Sequence, residues 1–84
     1  MKIARYHVEK SYNEIDRRIE WLIHDGDLQD AWEVRDERNS MIQGLYATFM
    51  MIADNWPEVA DWCRKIEDER GYYHDDPQIF GKGA

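Results

Sequence analysis

Apolar side chains recur every three or four positions along three successive segments of this 84-residue chain. That spacing places them on one face of an α-helix, because a half-buried strand needs a period of two. In the first segment Val8, Tyr12, Ile15, Ile19 and Leu22 are four, three, four and three residues apart. Ser11 followed by Glu14 matches a capping box, so the regular helix is expected over about 11–24, with Gly26 ending it. Residues 1–8 fit either a short strand or an early helical turn.

In the second segment Asp27 is placed to cap a helix starting at Leu28. Ile42, Leu45, Phe49, Ile52 and Trp56 repeat the three-four spacing. Continued backwards, the stripe falls on Leu28, Trp32, Arg35 and Asn39, so two polar residues interrupt it. Ser40 with Gln43 also resembles a cap. No Gly or Pro forces a break at Asn39–Ser40, so a single helix over 28–54 is favoured over two shorter ones. At 1.5 Å per residue it would be roughly 40 Å long.

Asn55-Trp56-Pro57-Glu58 reads as a helix start, with Asn55 as the cap and proline in the first turn. Val59, Trp62, Cys63 and Ile66 supply the stripe, and Gly71 closes a helix over 57–70. The tail, 72–84, contains Pro77, Gly81 and Gly83 and is expected to be irregular, anchored by Tyr72, Tyr73 or Phe80. The predicted fold is all-α: one domain over 1–84, a small antiparallel bundle of three helices. The middle helix would carry the first on its N-terminal half and the third on its C-terminal half. That arrangement leaves apolar surface bare, so a homo-oligomer, dimer or higher, is expected.

A chain this short buries only about 60% of its unfolded surface, and four tryptophans and five tyrosines help to fill a thin core. The same residue types are enriched at interfaces. Cys63 is the one cysteine, so no internal disulfide forms, and its place beside the apolar stripe suits a core residue. No apolar run approaches the ~20 residues that cross a bilayer, and Met1 to His7 lacks a signal peptide's apolar stretch. The expected location is the cytoplasm, the host's if a phage encodes the chain.

Eighteen acidic residues oppose eleven Lys and Arg. Residues 1–24 carry a net +1, and residues 25–53 and 54–84 each carry −4. Phosphate is repelled by such a surface, so direct nucleic-acid binding is disfavoured and a protein with a basic surface is the expected partner. Two helix faces would present the charge: Asp27, Asp30, Glu33, Asp36 and Glu37, then Asp61, Glu67, Asp68 and Glu69.

Constellations for catalysis are incomplete. His24-Asp25-Gly26-Asp27 and His74-Asp75-Asp76 put histidine beside acids, but not at the i, i+3 or i+4 spacing of helical metal sites. Glu33, Asp36 and Glu37, with Glu67 on another helix, resemble part of the acidic set of all-α nucleotide pyrophosphohydrolases without completing it. There is no Gly-rich phosphate loop and no Ser/His/Asp pattern, so no enzyme, metal or cofactor is expected. Arg35, Arg38 and Asn39 interrupt the seam. They make either a structural ion pair, with Asp16 as acceptor, or a nucleotide pocket in which Tyr12 stacks and an arginine pairs with phosphate.

Gly44-Leu45-Tyr46-Ala47, with Ala53 and Pro57 beyond and Ser11, Glu14, Ile15 and Asp16 before, locally resembles phage cyclic-nucleotide sponges. That resemblance implies an oligomeric helical hairpin that sequesters nucleotides. Tyr72-Tyr73 resembles the adjacent tyrosines of bacteriocin immunity proteins, which are acidic, helical and of this length. The leading expectation is a protein-binding inhibitor of phage or mobile-element type, including anti-CRISPR and DNA-mimic roles. The alternatives are a nucleotide sponge and a structural adaptor or immunity protein.

Overall fold

A computed structural model describes residues 3–72. The chain forms three helices, α1 (Arg5–His24), α2 (Ala31–Ile52) and α3 (Pro57–Arg70). Tyr73, Phe80 and the His74-Asp75-Asp76 triplet lie outside the described residues.

Helix α1 begins six residues before the expected start. Ser11 sits inside it, and its hydroxyl donates to the His7 carbonyl one turn back, at 3.0 Å. Glu14 accepts from Arg17 instead of completing a capping box. At the far end the N–H groups of Asp25 and Gly26 both donate to the Trp21 carbonyl. A Cβ at Gly26 would lie 3.0 Å from the Leu22 carbonyl oxygen, which explains a glycine there.

Helix α2 is capped by Asp30 and not by Asp27. The Asp30 backbone is extended and its carboxylate accepts the Trp32 N–H at 2.7 Å. The helix runs unbroken through Asn39–Ser40, as the long-helix reading expected. It stops in a Schellman motif: Asn55 N–H reaches the Met50 carbonyl at 2.8 Å, and Asp54 and Asn55 take φ of 58° and 62°. Asn55 is therefore committed to a left-handed turn, and Trp56 occupies the N-cap position of α3 without a side-chain bond. Gly71 ends α3 at φ 66°, with Tyr72 N–H bonded to the Glu67 carbonyl.

Each helix packs on the other two. Val8, Tyr12, Ile15 and Ile19 of α1 meet Val34, Arg38, Ile42 and Phe49 of α2. From α3 come Val59, Cys63, Ile66 and Glu67. The buried seam of α2 keeps Ile42 and Phe49 of the expected stripe but departs from it in the first half of the helix. It passes through Val34 and Arg38, which leaves Trp32 60% exposed and Ile52 42% exposed. Leu45 of the expected stripe is only half-buried.

Helix α3 is the short one, at about 21 Å against about 33 Å for α2. Its end reaches Asp16 of α1, while Tyr72 just beyond it reaches Arg38 of α2. Past that level α1 and α2 continue as a two-helix hairpin, in a molecule 41 × 21 × 18 Å. This replaces the expected end-to-end sharing of α2: α1 accompanies it throughout, and α3 adds beside both.

Candidate functional site

Where the three helices meet, the core is polar. Tyr12, with no exposed surface, donates its hydroxyl to Glu67, a carboxylate only 8% exposed. Glu67 therefore does not belong to the acidic face assigned to it. A buried carboxylate needs donors, and Tyr12 supplies one from the neighbouring helix. Arg38 is buried too; it donates to the Tyr72 carbonyl and lies over the Tyr72 ring, 4.9 Å from its centroid.

A second group surrounds it. Arg70 donates to Asp16 at 2.5 Å and to Asn13 at 2.8 Å, and the Tyr72 hydroxyl donates to Asp16 at 2.6 Å. Asp16 does accept from an arginine, but from Arg70 of α3 rather than Arg35 or Arg38. Tyr72 is thus anchored, held by both α1 and α2.

Burial pushes the Tyr12 phenol far above the ordinary tyrosine range, and the bond to Glu67 acts in the same direction. Tyr72 is raised by burial and then by Asp16, against the opposing effect of Arg70. Burial also raises the Cys63 thiol, outweighing the Tyr12 hydrogen bond that lowers it. These three groups stay protonated at neutral pH, so Cys63 is held as a thiol and not as a thiolate nucleophile. Of the nucleotide-pocket residues, Tyr12 and Arg38 both lie against Tyr72 inside the core. Tyr12 has no free face to stack on a ligand, Arg38 is engaged with Tyr72, and Asn39 is half-buried beside it in sequence. Arg35 lies over the Trp32 ring at 4.3 Å.

The two-helix end differs in kind. Asp25, Asp27, Asp30, Glu33, Asp36 and Glu37 are all exposed there. Among the described residues none of the six joins a salt bridge. Leu28, Glu33, Asp36, Glu37 and Ser40 line an open groove of ≈ 290 Å³. Trp32 and Trp21, 60% and 49% exposed, sit on the two helices of this end, each under an arginine three residues away. Sequence spacing missed these tryptophans because it placed Trp32 in the buried stripe.

On α3, Asp61, Asp68 and Glu69 are exposed as expected, with Asp61 3.5 Å from Arg64. Among the described residues no three His, Cys, Asp or Glu side chains stand where they could hold a metal ion. Glu67, bonded inside the core, is not among the groove-lining acids, so the partial pyrophosphohydrolase set is not assembled. No described helix is long and apolar enough to cross a membrane. No protein-family model matches the chain, and neither curated proteins nor solved structures show significant similarity to it.

Proposed function

We propose that this protein is a non-catalytic binder that presents the acidic two-helix end of its α1–α2 hairpin to a basic surface on another protein. One observation carries the reading. Six exposed carboxylates, none in a salt bridge among the described residues, share this end with two tryptophans that are 49% and 60% exposed. Tryptophan supplies much of the energy of protein interfaces once a partner covers it. The carboxylates steer a basic partner towards it and reject phosphate, in keeping with the net charge of −7.

The targets that fit are nucleic-acid-handling proteins, whose clefts are basic. The acidic end would occupy such a cleft in place of phosphates, as a DNA mimic or an anti-defence inhibitor of the anti-CRISPR type does. A nucleotide sponge is less well supported, because Tyr12 has no exposed surface with which to stack.

Calorimetry with a panel of nucleic-acid enzymes, free of nucleic acid, tests this at rising salt. Binding should weaken as salt rises. Trp32→Ala, and separately Glu33→Lys with Asp36→Lys, should each weaken it by tenfold or more, about 1.4 kcal/mol. Binding that ignores salt, or survives both sets of substitutions, refutes the proposal.

A further inference from the structure

The turn between α2 and α3 holds its backbone in an uncommon way. Only Ala53 to Trp56 join the two helices, and within them Asp54 and Asn55 take positive φ in succession, 58° and 62°. Residues other than glycine visit this left-handed region singly, because their Cβ crowds the following carbonyl oxygen. Asp and Asn tolerate it best, but here two in a row must hold it. Both are exposed, so no burial of their side chains offsets the strain.

The polar bonds that hold α3 lie at its far end. Tyr12 donates to Glu67, and Arg70 donates to Asp16 and Asn13 at 2.5 and 2.8 Å. Beyond the helix, Tyr72 donates to Asp16 at 2.6 Å and accepts from Arg38 through its carbonyl. The latch is thus at one end of α3 and the strained turn at the other. An α3 that swung out on the turn would expose Val59, Cys63 and Ile66 and strand the Glu67 carboxylate. It needs another surface of the same shape. The α1–α2 cleft of a second copy is that surface, with Tyr12, Asp16 and Arg38 already in place.

We propose that α3 exchanges between two copies of this chain, each copy docking its α3 in the other's α1–α2 cleft. Every bond named above then forms between chains instead of within one, so each cleft is completed by the partner copy. Closed monomer and swapped dimer differ at the turn. In the dimer residues 54–56 open into an extended segment about 10 Å long, and Asp54 and Asn55 leave the left-handed region. Trp56 is extended already, at φ −64° and ψ 118°, as a residue before proline prefers. Pro57 keeps α2 from running straight on into α3, because its ring would meet the Ala53 carbonyl. Strain released at both turns opposes the entropy lost on association. The exchange uses the three-helix end alone, so a swapped dimer presents two acidic tips.

Sedimentation velocity of the full chain, refolded from denaturant at high concentration, tests the exchange. The wild type should contain a species of twice the 10.2 kDa chain mass. Asp54→Gly with Asn55→Gly removes the strain from the closed turn and should weaken dimerisation by about tenfold. Asp54→Val suits the extended turn and not the closed one, and should strengthen it by about tenfold. Both variants should keep the wild-type helical circular dichroism. Asn13→Cys with Arg70→Cys, in a Cys63→Ala chain, reports the connectivity through a short bis-maleimide. Crosslinks should run between chains in the dimer fraction and within chains in the monomer fraction. The lost Arg70 bonds weaken both forms alike, because both contain them. A wild type without dimer at any concentration overturns the proposal. So does a dimer whose crosslinks stay within chains, or one that neither turn variant shifts.

Discussion

Replacing Tyr12 by phenylalanine isolates one oxygen atom in the core. The ring keeps its packing, including its neighbour Tyr72 at 6.0 Å between centroids, but Glu67 loses the hydroxyl that donates to it. Tyr12 is 0% and Glu67 8% exposed, so water cannot replace the lost donor without opening the core. A hydrogen bond to a charged group contributes about 1.5–3 kcal/mol, which puts the expected loss near 2 kcal/mol. In urea, with a slope of about 1 kcal/mol per M for a domain this small, the midpoint should fall by about 2 M. Heating should show a drop on the order of 10 °C. The partner substitution gives the sharper test. Tyr12→Phe with Glu67→Leu removes donor and acceptor together, and should cost less than Tyr12→Phe alone, because no buried charge is left unsatisfied. A loss below about 0.5 kcal/mol in the single variant, or additive losses in the double, would refute the role given to this bond.

Three further outcomes follow from the same core. Tyr12 and Tyr72 are raised on folding, so the native state keeps protons that the unfolded chain releases; their contribution to stability should be level below pH ~10 and fall above it, by up to about 1.4 kcal/mol per pH unit for each, with phenolate absorbance from these two appearing only on unfolding. Gly71→Ala forces a side chain into φ 66° at the turn that delivers Tyr72, and should cost about 1 kcal/mol in a chemical-denaturation series. The Cys63 thiol, buried and raised, should resist alkylating reagents in the folded protein and react at once in denaturant; rapid labelling of the native chain would contradict its placement.

Helix identity was legible from spacing alone, and so were Pro57 and Gly71, because those signals are local. Three things were not. Ser11 and Glu14 have the composition of a cap, but upstream residues continue the helix and draw the Ser11 hydroxyl back to His7. The phase of α2 is set by what α1 and α3 offer it: Arg38 turns inwards because Tyr72 supplies a carbonyl and a ring, and Trp32 turns outwards as a consequence. Glu67 looks like its neighbours Asp68 and Glu69 in sequence, yet it is buried because a phenol 55 positions away donates to it. Long-range partners decide each of these cases, and periodicity contains no information about them.

The shortness of α3 has a consequence for how the molecule can change. Only two helices hold the end that carries Trp21 and Trp32, and no described salt bridge ties its acids down, so amide exchange there should proceed by local fraying while the three-helix end exchanges through global unfolding. Substitutions near the tip act on sites far from the Tyr12–Glu67 and Arg70–Asp16 contacts, and their effects on stability should add independently. Under the proposed function, the tip can therefore change its side chains to suit a new target while the three-helix end keeps the fold intact.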